Sequence, residues 1–138
     1  MTIPEPTEAV QEEIRAVITA NGHAFAMWLN GELGTDQIGT LTDLFTSDAL
    51  MANARLPGMV APYEAFGSLM DSWKGLYAHD PVRSSVEIKS ILEVGDGVYL
   101  TVHVRHLESS SATSSSPETT LFVRDPDSGV LRIRVIAE

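Results

Sequence analysis

The 138-residue chain contains no cysteine, few basic residues and no long apolar run. The absence of cysteine excludes disulfides, thiolate nucleophiles and cysteine-ligated metal sites. Only 9 lysines and arginines stand against 19 acids, for a formal net charge of −10. Because nucleic-acid phosphates require clustered basic residues, this charge argues against a nucleic-acid partner. No apolar stretch approaches the roughly 20 residues that a membrane helix needs, so we expect no membrane partner.

The composition is that of one ordinary globular domain. Hydrophobic residues make up 43% and charged residues 20% of the chain, and the length suits a single core. Residues 1–6 hold two prolines and no apolar cluster, which predicts a disordered tail before one domain over residues 7–138. The same segment lacks the basic and apolar regions of a signal peptide, so we expect a cytoplasmic protein.

The first half of the chain shows helical spacing. From Ala9 to Leu33 the apolar residues recur at steps of three, four and seven, which predicts one long helix with a buried stripe. Thr7 is suited to cap its start. A short second helix around Ile38–Phe45 and a third over Tyr63–Tyr77 complete a helical layer.

The second half alternates between apolar and polar residues, as strands do. A short strand at Ala49–Asn53 precedes four strands, namely Val82–Val94, Val98–Glu108, Glu118–Arg124 and Val130–Ala137. Gly95-Asp96-Gly97 is typical of a tight hairpin, and the serine-rich segment 109–117 predicts a flexible hairpin loop. Helices followed by a meander of strands predict an α+β fold, with helices on one face of an antiparallel sheet.

Three segments carry a resemblance to a known superfamily. They are Trp28-Leu29-Asn30-Gly31, Leu44-Phe45-Thr46-Ser47-Asp48-Ala49 and Tyr63-Glu64-Ala65-Phe66 after a Pro-Gly loop. In their order and in the closing hairpins the chain resembles the nuclear-transport-factor-2-like superfamily, and within it the SnoaL-like and DUF4440-type bacterial domains. The resemblance implies a cone-shaped curved antiparallel sheet, a cystatin-like α+β barrel, wrapped around an N-terminal helical layer and enclosing a pocket.

The resemblance also implies a range of functions. It includes ketosteroid isomerases, polyketide cyclases and many small-molecule binders, so the fold alone does not select a reaction. We expect a domain that binds a small apolar ligand without a cofactor. A catalytic member would act as an isomerase, cyclase or dehydratase by proton transfer on a ring or polyketide-like ligand. The alternative is a non-catalytic dimerisation or partner-binding domain. A homodimer through the sheet is expected in both cases, and whether the chain is an enzyme stays open.

Three residues are candidates for proton transfer. Asp43 belongs to the second helix, near the expected pocket mouth, where a buried carboxylate would have a pKa suited to a base. His103 and His106 lie three residues apart on one strand and therefore face opposite sides of the sheet. The four histidines of the chain are too widely spaced for a metal-binding motif, so we expect no metal.

The phase of this strand decides which histidine reaches the pocket. One phase turns an apolar set inward and extends to His106, namely Leu100, Val102 and Val104. The other phase turns inward a polar patch around His103, namely Tyr99, Thr101 and Arg105. Because a core requires apolar side chains, the first phase is favoured. On the next strand the same reasoning turns Leu121 and Val123 inward and Phe122 outward.

Large side chains on the helices and in the adjoining loop supply the expected pocket. Aromatic rings with a hydroxyl or N–H group suit a pocket that binds an apolar ligand and orients it. The guanidinium of Arg55 matches a carboxylate or an enolate. The predicted pocket residues are Trp28, Met51, Arg55, Tyr63, Phe66, Met70, Trp73 and Tyr77, with Trp28 and Tyr63 as the strongest candidates.

Overall fold

The computed structural model describes residues 3–56 and 58–138. One long helix, α1 (Glu8–Leu29), opens the fold, and the hydroxyl of Thr7 accepts a hydrogen bond from the Val10 N–H at 3.4 Å, as predicted for its cap. A 3-10 turn at Thr35–Gln37 leads into the short helix α2 (Gly39–Thr42). None of the helices in the described residues is long and apolar enough to cross a membrane.

The predicted third helix is much shorter than its apolar spacing indicates. Only α3 (Pro62–Glu64) is α-helical, and it continues as a π-helical turn at Ala65–Leu69 and a 3-10 turn at Asp71–Trp73. Met70 leaves the helical region between the two turns, with φ −107° and ψ 19°. Gly75, with φ +76°, then redirects the chain, so the prediction of one helix over Tyr63–Tyr77 is wrong.

The segment after this turn attaches to the end of α1. The N–H of Gly75 donates to the Trp28 carbonyl at 3.1 Å, and the N–H of Tyr77 donates to the Leu29 carbonyl at 2.8 Å. Helix ends leave their last carbonyls without partners inside the helix. Segment 73–78 supplies those partners, so α1 positions it.

Five strands form one sheet in the order β1-β5-β4-β3-β2, with bounds β1 Phe45–Ala52, β2 Arg83–Gly95, β3 Val98–Glu108, β4 Thr113–Arg124 and β5 Leu131–Ala137. Strands β2 to β5 pair antiparallel, as predicted, whereas β1 joins β5 in parallel. The sheet is curved and unclosed in the described residues, and the α+β fold is confirmed. Register shifts between Ile88 and Ser90 and between Leu121 and Phe122 add the local bends that bulges produce.

The serine-rich segment is mostly strand. Strand β4 begins at Thr113, paired with Glu108 of β3, so the predicted loop over 109–117 shrinks to residues 109–112. The long β3 provides a complete row of backbone partners, and this pairing outweighs the weak strand preference of serine. Gly97, with φ +67°, forms the predicted β2–β3 turn.

The predicted phase of β3 and β4 is wrong. Phe122 is 0% exposed and belongs to the core, while Val102 lies on the outer face and is 39% exposed. The inner face of β3 carries the polar set Tyr99, Thr101, His103 and Arg105. The favoured phase failed because the outer face is as apolar as the inner one, so alternation alone could not choose between them.

Two apolar clusters fill the space between the helices and the sheet. One joins Ile14 and Ile18 of α1 to Tyr99 and Phe122 of the sheet. The other surrounds Trp28, whose ring meets that of Phe66 edge-on at a centroid distance of 5.1 Å. The clusters engage successive turns of α1, and buried polar side chains lie between them.

The N-terminal segment before α1 contacts the domain. Of the predicted disordered tail, residues 1 and 2 lie outside the described residues. The Pro4 carbonyl accepts from the Glu93 N–H at 2.8 Å, and Pro6 is buried.

Replacing Gly31 by Ala should destabilise the fold more than replacing Gly129. Both glycines have positive φ, +77° and +74°, so each substitution costs about 1 kcal/mol in backbone strain. A Cβ on Gly31 would lie 3.3 Å from the Cα of Gly75, whereas one on Gly129 would meet nothing within 4 Å. Urea unfolding should show a loss for Gly31→Ala about 1 kcal/mol larger than for Gly129→Ala, and equal losses would contradict the close docking of segment 73–78.

Candidate functional site

Six polar side chains are buried between the two apolar clusters, and we call them the buried polar layer. They are Asn21, Thr101, His103, Arg105, Glu118 and Thr120. Burying polar groups costs free energy unless they are hydrogen-bonded. Most of this layer is joined by hydrogen bonds. Among the described residues, the Thr120 hydroxyl is the only fully buried side-chain nitrogen or oxygen atom without a hydrogen-bond partner.

Glu118 is the centre of the layer. Its Oε1 accepts hydrogen bonds from Nε2 of His103 at 3.0 Å and from Nε of Arg105 at 2.9 Å. Since an ionised carboxylate can only accept, the His103 proton lies on Nε2, and Nδ1 faces the Thr101 hydroxyl at 3.4 Å. His103 is 0% exposed, so it reaches solvent and ligands only through Glu118.

Arg105 connects this centre to two further elements. Its Nη1 donates to the Ser84 hydroxyl of β2 at 2.9 Å, and its Nη2 donates to Oδ1 of Asn21 on α1 at 3.3 Å. A Cβ built on Gly22 would lie 2.0 Å from Nη1 of Arg105. The Asn21-Gly22 pair lies within the continuous helix α1. It provides an acceptor and the space for a guanidinium against the helix.

The surroundings of Glu118 hold its carboxylate ionised. Burial raises the pKa of Glu118, but the hydrogen bond from His103 and the charge of Arg105 outweigh it, so the pKa lies below its ordinary value. The second oxygen, Oε2, has no hydrogen-bond partner among the described residues and is not a fully buried atom. It is therefore the accessible oxygen of a buried ion pair.

A cleft opens at this edge of the layer. Its outer part has a volume of about 340 Å³ and its inner part about 50 Å³, and the two share Phe25, Asn53, Trp73, Arg105 and Glu138. The apolar and aromatic part of its lining is formed by Phe25, Leu29, Trp73, Leu76, Tyr77 and Leu107. Hydroxyls and charges also line the cleft, from Arg105, Ser114, Ser116 and Glu138, and Glu118 lines the inner part.

Glu138 places a second carboxylate in the cleft. Its backbone N–H donates to the Ala52 carbonyl at 2.9 Å, which positions the residue beside the end of β1. Partial burial and the nearby charge of Glu118 raise the pKa of Glu138. The cleft thus contains two carboxylates whose pKa values are shifted in opposite directions.

Arg55 lies at the mouth of the cleft. Its guanidinium carbon is 5.7 Å from the centre of the Trp73 ring, within the range of a cation–π contact. Its backbone N–H donates to Oδ1 of Asn53 at 2.8 Å, and paired hydrogen bonds between Met51 and Val60 close the base of the loop. Arg55 is therefore presented by a loop with an ordered base.

The three predicted catalytic residues lie in three different places. His103 lies behind Glu118 in the buried polar layer. His106 is on the outer face, where its Nδ1 is 2.7 Å from the Ser115 hydroxyl, so the favoured placement of His106 in the pocket is wrong, for the same reason as the strand phase. Asp43 is exposed in a separate groove of about 720 Å³ on the outside of the molecule.

That outer groove is larger than the cleft, but its two arginines are already engaged. Arg134 forms an ion pair with Asp48 at 3.1 Å, and Arg132 donates to the backbone carbonyl of Asp43. The hydrogen bond from the Thr46 hydroxyl and the charge of Arg134 lower the pKa of Asp48, in keeping with a structural role. The cleft, with its buried ion pair and accessible carboxylate oxygen, is the stronger candidate site.

Six of the eight predicted pocket residues line the cleft, namely Met51, Arg55, Phe66, Met70, Trp73 and Tyr77. Trp28 is 2% exposed and packs in the core, and Tyr63 is 69% exposed and lines the outer groove. Sequence reasoning missed Glu118 and Glu138, and it placed Arg105 in the less favoured phase. Choosing the other phase of β3 would have placed Arg105 in the pocket. The alternation of apolar and polar residues gives no indication that Glu138 belongs to the site.

Known structures share this architecture. No protein-family model matches the chain, and no curated protein matches its sequence. An NTF-2 like protein of unknown function from Pseudomonas aeruginosa is 23% identical, with a TM-score of 0.67, and the match covers 94% of this chain and 95% of that one. The protein Aln2 from a Streptomyces species is 21% identical, with a TM-score of 0.72, covering 97% and 92%.

A third similar structure holds a ligand. It is a protein from Catenulispora acidiphila in complex with S-DNPA, 15% identical, with a TM-score of 0.63 over 95% of this chain and 94% of that one. At these identities the likeness establishes the fold. The chain has the NTF2-like fold that the sequence resemblance predicts.

Replacing Glu118 by Gln should destabilise the protein at neutral pH by about 3 kcal/mol, because it leaves Arg105 buried without its counter-charge. Since the folded-state pKa of Glu118 is lowered, its contribution is present above the unfolded pKa of about 4.3 and is lost as the pH falls through the folded value. Urea unfolding at several pH values should therefore show the difference between wild type and Glu118→Gln shrinking on acidification.

Glu108→Gln is the matched control. Glu108 pairs with Arg83 at 3.2 Å, but both side chains are more than half exposed, so the change in stability should be small. Equal losses for the two variants would contradict a central role for the buried pair.

Proposed function

We propose that the chain is a small-molecule-binding domain whose ligand occupies the cleft. The observation that carries this proposal is a cleft whose outer part, of about 340 Å³, is lined by aromatic rings together with Arg105 and Glu138, and whose inner part reaches Glu118. Ligand sites are typically concave and mostly apolar, with a few well-placed polar groups. The ligand complex of the Catenulispora acidiphila protein shows that another protein of this fold holds a small molecule.

The cleft suits a ligand of one or two rings with a polar end. Its volume lies near the lower limit of small-molecule pockets. At the floor, three of the five N–H groups of Arg105 donate to described residues, which leaves two for a ligand oxygen. The rings of Phe25, Trp73 and Tyr77 would cover the apolar part.

The two carboxylates make proton transfer the best-supported reaction. Opposite pKa shifts in one site are typical of an acid and a base with separate roles. Glu138, whose pKa is raised, would exchange a proton with the ligand, while Glu118 stays ionised. Arg105 would stabilise negative charge that develops on a ligand oxygen. In this arrangement His103 is a positioning residue, since it acts through Glu118.

Binding can be tested with 2-acetonaphthone, a neutral two-ring ketone, by isothermal titration calorimetry. We expect saturable binding, and Trp73→Ala should weaken it roughly tenfold because it removes part of the aromatic lining. Tyr63→Ala is the matched control, since this exposed aromatic residue lies in the outer groove. Loss of affinity in Tyr63→Ala but not in Trp73→Ala would place the ligand in the outer groove instead.

Proton transfer can be tested with the same ketone in heavy water. Exchange of its methyl protons, followed by NMR, should be faster with the protein than without it. Glu138→Gln should return the rate to background while binding persists, because Gln keeps the size of the side chain but has no carboxylate to take a proton from the methyl group and return a deuteron. Saturable binding with a background rate in the wild type would leave a binding domain without this activity.

We further propose that the outer sheet face forms a homodimer interface. Leu92, Leu100, Leu121 and Val135 are register neighbours across four strands, and Val102 adjoins this row. An exposed apolar patch on a sheet typically marks an interaction site. A second copy would cover it and would explain why the outer face is as apolar as the inner one.

Sedimentation analysis should therefore give a mass of about twice 14.9 kDa. Val102→Glu should shift the protein to the monomer, because it places a charge in the buried centre of the interface. Val130→Glu, at a similarly exposed valine in the β4–β5 turn, should leave the mass unchanged. A monomeric wild type would reject the dimer.

A further inference from the structure

We propose that the mouth of the cleft is a carboxylate subsite, in which the guanidinium of Arg55 pairs with the acid group of a ligand whose ring lies against Phe25 and Tyr77. The inference rests on the proposed function and names the ligand class as small cyclic or aromatic monocarboxylates. Three observations support it: Arg55 lacks a close carboxylate among the described residues, the other charges of the cleft are largely balanced, and aromatic rings line the cleft.

Arg55 differs from most other basic side chains in its lack of a close carboxylate among the described residues. Five other basic side chains form ion pairs with carboxylates within 4.0 Å, namely Arg83, Lys89, Arg105, Arg124 and Arg134. In the part of the chain that the structure describes, Arg55 forms no such pair, and its guanidinium contacts the Trp73 ring. A cation–π contact uses none of the guanidinium N–H groups, which can therefore still donate to the two oxygens of a carboxylate.

The other charges at the cleft leave room for one anion. The charged and titratable groups that line it are Arg55, Tyr77, Arg105, Glu118 and Glu138. Glu118 is balanced by Arg105 and hydrogen-bonded by His103. Arg55 and Glu138 remain, and each feels the charge of the other. When the Glu138 side chain carries a proton, Arg55 is left without a counter-charge among the described side chains that line the cleft, which suits a monoanion.

Anion binding should therefore be coupled to proton uptake by Glu138. Burial and Glu118 already raise the pKa of Glu138, and a bound carboxylate adds a further negative charge nearby. By linkage, the affinity for a carboxylate that is itself ionised should rise as the pH falls toward the raised pKa of Glu138. A neutral ligand should show little of this dependence.

The test compares 2-naphthoate with 2-naphthamide, two ligands of the same shape that differ in charge. Calorimetry on the wild type should show roughly tenfold or greater preference for the carboxylate, and Arg55→Gln should abolish the preference without weakening the amide. Arg83→Gln is the matched control, since Arg83 is an exposed arginine on β2 paired with Glu108. Titrations in buffers of different ionisation enthalpy should show proton uptake in the wild type but not in Glu138→Gln.

Each other outcome has a defined meaning. If 2-naphthamide binds as tightly as 2-naphthoate, the carboxylate subsite is rejected and the small-molecule function stands. If Arg83→Gln removes the preference as fully as Arg55→Gln does, the effect comes from the net charge of the protein and the subsite is again rejected. If 2-naphthoate, 2-naphthamide and 2-acetonaphthone all fail to bind, the proposed function fails together with the subsite.

Discussion

The buried carboxylate of Glu118 accepts two hydrogen bonds, and the rest of this structure is organised around it. A carboxylate in the interior needs both a donor and a counter-charge, and His103 and Arg105 provide them. Arg105 in turn needs space against α1, which Gly22 leaves open, and acceptors, which Ser84 and Asn21 supply. The inner face of β3 is polar because this network occupies it, and the core is divided into two apolar clusters on either side.

A buried ion pair is weak evidence for stability, since desolvation cancels much of its attraction. Its value here is geometric. Donors and acceptors from α1, β2, β3 and β4 must meet at once, so a slip of one residue in β3 would leave Arg105 and Glu118 apart. The network thus selects one register and presents one carboxylate oxygen and part of a guanidinium at the cleft, where a ligand can use groups that the fold already holds in place.

Local signals predicted most elements, with the third helix as an exception, and long-range pairing decided the strand phase and the start of β4. The Thr7 cap, the stripe of α1 and the turn at Gly97 depend on residues near in sequence and are confirmed. The phase of β3 depends on Glu118, 13 residues after Arg105, and the start of β4 depends on its register with β3. The sequence predicted Phe66, Trp73 and Tyr77 of the cleft because they lie close together in one segment of the chain. Glu138 is far from them in sequence and reaches the site through the hydrogen bond of its backbone N–H to Ala52.

The attachment of segment 73–78 to the last carbonyls of α1 has a kinetic consequence. Trp73 and Tyr77 belong to the aromatic lining, and the N–H groups of Gly75 and Tyr77 donate to the carbonyls of Trp28 and Leu29 at the end of the helix. Moving these rings outward therefore breaks hydrogen bonds that help to keep the end of α1 from fraying. A ligand too wide for the mouth would leave no faster than the helix end opens, so its residence time would be set by local unfolding of the protein and not by the strength of its own contacts.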